Sequence, residues 1–414
     1  MQSSSNPILD TVKRARQAAV TLALTSGKTR RQGVKILAEA VATNFDAILE
    51  ANTLDLEISR EMAVPEPIID WLKLTPERLE IAVGFLKQLV RSASPTKRLI
   101  NTPYTLESTQ TYYQLMPLGT IALIYEAFPE LAIMAAGMSL KTGNSIILRG
   151  CTSASNSNQT IFAILQNALA TTDLPLSSIE AISSDGNSTI QDLIEQSQDL
   201  NLIIPYGRPS LVQQVAVQAT VPVLRTAIGN CYTYWSASGD LEPLKYAIID
   251  SHDSEPDAVN AIEKVLIHNG KKPASLQSLF NCLAQENFQL RGDEQLVKEF
   301  PEYLKPVHPG EWKQPYLNKT VAFKYVDSLA EAITWINQNS NGHADSIFTE
   351  SYSESRQFVR EVNSAVIYVN TSPRFYRYLK SGETLCLGMC NRQNYRQGSI
   401  GIEAFTTMQQ IVQG

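Results

Sequence analysis

Apolar and polar positions alternate along this chain in two rhythms, short unbroken apolar runs and longer stretches with apolar residues every three or four places. They meet most clearly between Pro117 and Asn158. The run Ile121 to Tyr125 ends at Glu126-Ala-Phe-Pro129, a segment of small residues with helical spacing follows, Thr142-Gly143-Asn144 turns the chain, and a second run, Ser145 to Leu148, ends at Arg149-Gly150. Short apolar runs bounded by turn residues predict buried strands, and two of them joined by a helix predict a βαβ unit with a parallel sheet. Open parallel sheets take ligands beyond the carboxyl ends of their strands, here Glu126 to Glu130 and Arg149 to Asn158.

The alternation continues downstream. Helices are predicted over Asn156 to Leu169, Asn187 to Gln196 and Ser210 to Gln218, and strands over Ile179 to Ser183, Leu202 to Ile204 and Val221 to Leu224. Short elements and brief loops are the pattern of a doubly wound sheet. Upstream, Ile8 to Leu24 and Arg31 to Ala51 have helical spacing, and Thr75 can cap a helix running through Leu89. This N-terminal region reads as a packing cap without chemistry. Leu99 to Leu115, with alternating Tyr, Thr and Gln, suits an exposed or intersubunit hairpin.

From about Leu241 a second α/β unit begins. A helix passes through Tyr246 and a polar loop spans Asp250 to Asp257. Strands are predicted at Val265 to Ile267, Val321 to Val326, Ser346 to Thr349 and Ala365 to Asn370, with helices from Ala274, Ser328 to Asn337 and Ser351 to Val362 between them. The tail, Ile400 to Ile411, alternates again and can pair with the hairpin.

Length and composition narrow the class. At 414 residues the chain calls for two or three domains, and with 43% hydrophobic and 18% charged residues it is ordinarily globular. A net charge of -6 argues against a nucleic-acid surface, which needs clustered Lys and Arg. The five cysteines (151, 231, 282, 386 and 390) are few and odd in number, fitting a reducing compartment. Cys386 and Cys390 lack a second Cys or His pair for a tetrahedral metal site. No apolar run is long enough to span a bilayer, so the expectation is a soluble, cytoplasmic protein with no membrane partner and no metal. No GxGxxG fingerprint appears after any predicted strand.

Several blocks carry a resemblance: PLGTIALIYEAFPE, AGMSLKTGNSIILRG, DLNLIIPYGRPSLV, VPVLRTAIGNCYTY, VNAIEKVLIH, LRGDE, GHADSIFTES, AVIYVNTSPRF and GIEAFTT. In this order, over nearly the whole chain, they resemble the γ-glutamyl phosphate reductase (glutamate-5-semialdehyde dehydrogenase) family of the aldehyde dehydrogenase superfamily. The resemblance implies an aldehyde dehydrogenase-like α/β fold. Residues 1–98 would supply N-terminal helices of a Rossmann-type cofactor domain, 99–116 an oligomerisation hairpin, and 117–244 the NADP-binding domain. Residues 245–370 would form a catalytic-type domain, and 371–414 would return to the cofactor domain and hairpin.

The resemblance also implies a chemistry, the NADPH-dependent reduction of L-glutamyl 5-phosphate to glutamate 5-semialdehyde in proline synthesis. A cysteine thiolate attacks the acyl phosphate, an amide stabilises the oxyanion, phosphate leaves, and hydride reduces the thioester. The thiolate suits this because it is nucleophilic near neutral pH. In this chain the block that follows the family's nucleophile is Asn260-Ala-Ile-Glu263, which puts Val259 at the nucleophile's position. Asn260 and Glu130 are the neighbouring catalytic candidates.

Other departures fall at the substrate side. The family's Glu-Ala-Arg-Pro is Glu126-Ala-Phe128-Pro129, and its Ile-Pro-Arg-Gly is Ile204-Pro-Tyr206-Gly207, which removes two guanidinium groups suited to phosphate or carboxylate. The family's Lys-Thr is His252-Asp253, and a C-terminal Gly-rich segment is shortened to Gly388 to Asn391. Glu126, Phe128, Tyr206 and Gly207 are therefore the substrate-binding positions, two of them altered. On the cofactor side Arg149, Gly150, Thr152, Ser153 and Asn156 match, where they would meet the ribose or 2′-phosphate of NADP(H), the last three at a helix start that favours anions.

Among the other cysteines, Cys231 and Cys282 read as structural, and Cys390 falls in the altered segment. His343 and Asp345 read as structural or positioning residues rather than as acid and base. Two readings remain open. One is a reductase or aldehyde dehydrogenase with a displaced nucleophile. The other is a fold-preserving relative, with a small-molecule or nucleotide ligand and a homo-oligomeric assembly, in which the family's activity is weak or lost.

Overall fold

Buried stripes on the first helices follow from their sequence. In α1 (Pro7–Leu24) Ile8, Val12, Ala15, Ala19 and Leu22 fall on one covered face. The computed structural model describes residues 7–96, 99–101, 110–184, 190–196, 198–253, 258–378 and 385–413. These divide into two units, one of Met1–Thr226, Arg377–Gly388 and Ile400–Gly414, the other of Ala227–Tyr376 and Met389–Ser399.

In the first unit α1 is followed by α2 (Gly27–Ala42), α3 (Phe45–Glu61), α4 (Glu66–Leu72) and α5 (Pro76–Arg91). Thr75 caps α5 by accepting from Arg78 N, as its position predicts. The helix expected over Arg31 to Ala51 is two helices. Thr43 Oγ1 and Asn44 Nδ2 bond back to the carbonyls of Glu39 and Ala40 and close α2, so α3 starts afresh at Phe45.

Next come β1 (Leu99–Asn101), β2 (Gln110–Pro117), β3 (Thr120–Tyr125), α6 (Leu131–Thr142), β4 (Ser145–Arg149), α7 (Ser155–Leu169), β5 (Ile179–Ala181), α8 (Ile190–Ile194), β6 (Leu202–Tyr206) and α9 (Pro209–Gln218). The strands β5-β4-β3-β6 form a parallel sheet in that order. Every residue of β3, β4 and β6 is buried, as unbroken apolar runs require. Ile8 and Val12 of α1 close one face with Ala122, Ile124, Ile147 and Ile203. The strand expected at Val221 to Leu224 contributes a single bridge, Val223 to Ile203. The helix expected from Asn187 is described only over Ile190–Ile194, its start lying outside the described residues.

The second unit is a parallel sheet of seven strands, order β10-β9-β11-β8-β7-β12-β13. Its elements are β7 (Cys231–Trp235), α10 (Leu241–His252), β8 (Ile262–His268), α11 (Pro273–Gln285), β9 (Gln289–Gly292), α12 (Glu294–Glu299), β10 (Lys305–Pro306), β11 (Thr320–Val326), α13 (Leu329–Asn339), β12 (Ala344–Phe348), α14 (Tyr352–Glu361) and β13 (Val366–Val369). Val265 and Ile267 face one core, with α10 to α12, and Leu266 the other, with α13 and α14, the alternation of a sheet covered on both sides.

Two expectations about this unit change. The division falls at Thr226 and Ala227, ahead of the expected 244/245 boundary, because β7 pairs with β8 and β12. Within the expected polar loop, α10 runs on to His252, and residues 254–257 lie outside the described ones.

A short pair, β14 (Met389–Cys390) and β15 (Gly398–Ser399), joins the second unit, and β16 (Thr406–Gln413) returns to the first. There it pairs antiparallel with β2, whose other edge carries β1. The expected pairing of the tail with the hairpin strands is thus present, while the hairpin's turn lies outside the described residues.

Candidate active site

In the first unit the chain leaves β3 toward β4 and β5, then crosses to β6 on β3's other side, so the crevice between the carboxyl ends of β3 and β6 is the sheet's switch point. Glu126 N donates to Tyr206 O at 2.9 Å, bringing Glu126, Phe128, Tyr206 and Gly207 together as their sequence blocks suggest. Ala127 and Phe128 follow with φ of 66° and 51°, a left-handed pair that costs about 1–2 kcal/mol per L-residue. Phe128 N, donating to Trp71 O at 3.1 Å, and Ala127 N, reaching Cys151 Sγ at 3.5 Å, hold the turn.

The side chains do not present themselves as substrate ligands. Phe128 is 0% exposed and stacks on Trp71 with centroids 5.0 Å apart, and Tyr206, 1% exposed, meets it edge-on at 5.6 Å. Phe128 and Tyr206, two of the four expected substrate positions, therefore lie in the core, for a simple reason. An aromatic ring set where a guanidinium would stand finds other rings and is sealed in. Arg377 lies over the Tyr206 ring and donates to its hydroxyl at 3.2 Å. Glu126 is held by Arg208, whose backbone N–H reaches Oε2 at 3.0 Å and whose Nε lies 2.9 Å from Oε1. Gly207, with φ 151°, passes so close that a Cβ there would sit 2.8 Å from the Cβ of Glu126.

Glu130, the expected catalytic carboxylate, is 1% exposed and paired with Arg78, Nη2 to Oε1 at 2.6 Å. Arg78 also donates to the carbonyls of Trp71 and Asp70 and to that of Lys73, gathering the open end of α4. Glu130 is thus an interior ion-pair partner at the start of α6.

Past β4 lies a pocket of about 190 Å³. Leu148, Ala181 and Ile182 from the strand ends and Phe162 from α7 make its apolar walls, with Gly150, Ser155, Asn158, Gln159, Ser183 and Ser184 at the polar rim. Of the expected cofactor residues Gly150 alone lines it. A Cβ there would stand 2.1 Å from Asn158 Nδ2, so only glycine lets Asn158 approach and accept from Tyr125 OH at 2.9 Å. Arg149 is nine-tenths buried and donates back to the Gly150 carbonyl. Thr152 is exposed, and Ser153 O accepts from Ser59 Oγ at 3.5 Å. Asn156 is turned to Asp55, whose Oδ1 accepts from its N and Nδ2 at 3.0 and 2.9 Å. The anion expected at this helix start is therefore part of the chain itself. The lining residues Ser155, Asn158, Gln159 and Phe162 were missed in the sequence; their spacing of three and four along one helix face is the signal that could have found them.

In the second unit Val259 is 0% exposed just before β8, and its carbonyl accepts from Gly229 N at 2.9 Å. Asn260 Nδ2 donates to Pro373 O at 2.9 Å and to Tyr368 OH at 3.2 Å. A carbonyl can only accept, which turns Oδ1 of that amide toward His343, 2.8 Å away, so the histidine carries its proton on Nε2. Both amide protons of Asn260 are engaged and none is left for an oxyanion. Burial pushes His343 down to about 4, leaving it neutral. Asp345, pushed up to about 6 by burial, accepts from Tyr232 N at 2.7 Å and Ser340 Oγ at 2.8 Å. Both side chains are buried and bonded within the second unit.

A parallel sheet whose switch-point turn carries Glu-Ala-Phe-Pro, together with a second parallel unit bearing the Val259-Asn260 loop ahead of a strand, defines an aldehyde dehydrogenase-like protein. A sequence model of the aldehyde dehydrogenase family matches residues 2–229. The chain is 50% identical to γ-glutamyl phosphate reductase 2 of Synechocystis over 97% of its own length and 95% of the relative's. It is 34% identical to the γ-glutamyl phosphate reductase of Gloeobacter violaceus over 98% and 96%. The crystal structure of the Thermotoga maritima γ-glutamyl phosphate reductase superposes with a TM-score of 0.88 at 31% identity, covering 98% of each chain. The chain belongs to the γ-glutamyl phosphate reductase family of the aldehyde dehydrogenases. Among the described residues no helix is long and apolar enough to cross a membrane.

Proposed function

We propose that this protein is a nicotinamide-nucleotide-binding member of the family whose reduction of L-glutamyl 5-phosphate, the second step of proline synthesis, is weak or lost. The observation that carries the reading is Val259, a buried aliphatic side chain at the position that the resemblance gives to the nucleophile. Removing a covalent nucleophile costs on the order of 10⁶ in turnover in protease examples, and an isopropyl group has no lone pair to offer. The names of the relatives support the substrate, and the pocket beyond β4 supports NADP(H). Its apolar walls suit a flat heteroaromatic base and its rim a ribose. The cofactor, when bound, supplies hydride; the chain's own residues shape the pocket.

A displaced thiol finds little support. Burial raises Cys151 and Cys390, the latter to about 12, and holds Cys231 well above the ordinary thiol range, so these remain protonated near neutral pH. The sheet β1-β2-β16 supports the homo-oligomer reading, because Leu99, Met408 and Val412 stand 59%, 61% and 51% exposed on its two edge strands.

The test is phosphate-dependent NADP reduction from glutamate 5-semialdehyde by the unaltered chain and by Val259→Cys, with NADPH quenching of tryptophan fluorescence alongside. Quenching by both and turnover by Val259→Cys alone is the expected result. Ordinary turnover by the unaltered chain would overturn the loss of activity. Quenching by neither would overturn nucleotide binding.

A further inference from the structure

The first turn of α7 has no capping side chain of its own, since its N-cap is Ala154. A helix start leaves amides unpaired and carries partial positive charge, which draws an anion. Asp55 of α3 supplies it. Besides the two bonds from Asn156, its Oδ2 accepts from Ser157 N at 2.7 Å and Ser157 Oγ at 2.6 Å. Asn52 and Ser59 flank Asp55 on the same face of α3, and the three are 1%, 1% and 2% exposed in the order Asn52, Ser59, Asp55. Asn52 Nδ2 donates to Ser157 Oγ at 3.1 Å and Leu72 O at 2.9 Å, and its Oδ1 accepts from Leu74 N at 2.8 Å. A buried polar stripe on α3 thus holds the segment whose next residues wall the pocket.

We infer that Asp55 is a positioning residue for the nucleotide pocket and that it excludes phosphate from the start of α7. The inference rests on the nucleotide reading above. The carboxylate takes the amides of Asn156 and Ser157, so a ligand phosphate placed there would lose its hydrogen bonds and meet a like charge. The pocket is left for the base and ribose of the adenosine end, with the 2′-phosphate and the diphosphate directed away from the amides of Asn156 and Ser157. By fixing the first turn, Asp55 also sets the direction of Ser155, Asn158 and Gln159 at the rim.

Titration calorimetry with adenosine and with NADPH, and melting with and without inorganic phosphate, test this on the unaltered chain, Asp55→Asn and Asp55→Ala. Asp55→Ala is expected to weaken adenosine by about tenfold, with acetate restoring affinity by refilling the vacated site, and Asp55→Asn to fall between. Inorganic phosphate is expected to raise the melting temperature of Asp55→Ala and not that of the unaltered chain. A purely structural cap would show the phosphate response in melting without the loss of adenosine affinity and its rescue by acetate. A folded Asp55→Ala that binds adenosine as tightly as the unaltered chain overturns the inference, as does equal stabilisation of both by phosphate. If neither protein binds adenosine or NADPH, the nucleotide reading falls, and the phosphate response still decides whether Asp55 is what keeps anions off α7. Should Asp55→Ala fail to fold, Ser157→Ala, which removes one of the four bonds, is expected to weaken adenosine in the same direction, and no change there overturns the positioning role.

Discussion

His343 donates its Nε2 proton to Oδ1 of Asn260 across 2.8 Å, in a setting so enclosed that the ring is pushed down to about 4. The unfolded chain binds a proton at this ring below about 6.5 and the folded chain only near 4, so stability from this group is complete above 6.5 and lost as the pH falls toward 4. His343→Gln keeps a donor for Asn260 and removes the titration. Urea denaturation across this window is expected to show a slope shallower by about 1.4 kcal/mol per pH unit in the variant. Asp345, raised to about 6, works in the opposite sense in both proteins and cancels from the comparison. Equal slopes would show that the ring is protonated in the folded state.

Two ion pairs flank the turn after β3 and differ in burial. Arg78 and Glu130 are 4% and 1% exposed, whereas Arg208 and Glu126 are 48% and 17% exposed. Glu130→Gln leaves a buried guanidinium uncompensated and is expected to cost about 3–5 kcal/mol. Arg208→Ala is expected to cost about 0–1 kcal/mol, and less as salt is raised. Chemical denaturation at two salt concentrations separates them, and similar losses would contradict the assigned burial.

Phe128 fills the space between Trp71 and Tyr206. Phe128→Ala is expected to lose about 3–5 kcal/mol through the cavity it leaves. Phe128→Arg, the family's residue, puts a second guanidinium near Arg78, which already lies 5.9 Å from the ring, and is expected to destabilise at least as much. A Phe128→Arg variant melting with the unaltered chain would mean that the position opens to solvent.

Gly150→Ala drives a methyl group toward Asn158. A stability loss of about 1–3 kcal/mol is expected from overpacking, with a larger proportional loss of NADPH affinity because Asn158 lines the pocket. Calorimetry and melting on one sample read both. Unchanged affinity in a folded variant would separate this pocket from the nucleotide.

The doubly wound architecture was legible because its strands are unbroken apolar runs and its helices carry stripes. Val259 is placed only by the resemblance of the flanking Asn260-Ala-Ile-Glu263; its burial ahead of β8 was not legible. The break between Thr43 and Asn44 was not, since apolar spacing runs on across it and side-chain bonds to the preceding carbonyls end the helix. Phe128 and Tyr206 were found as altered positions, but their burial depends on Trp71, a partner from another helix. Asp55 was missed for the same reason. A carboxylate midway along an amphipathic helix looks like any solvated acid until the fold brings Asn156 and Ser157 to it.

The pairing of β16 with β2 bears on how the protein is made. Synthesis runs from the N-terminus, and domains fold as units while it proceeds. The main stretch of the second unit, Ala227–Tyr376, follows the first stretch of the first unit and holds all seven strands of its sheet, which is complete once β13 has emerged. The first unit must hold its four-stranded sheet and a β2 paired on one edge only, with β1, until Thr406 to Gln413 arrive. A ribosome paused shortly before Thr406 would therefore carry a complete seven-stranded sheet and an unfinished first unit, whose open strand edge would need shielding.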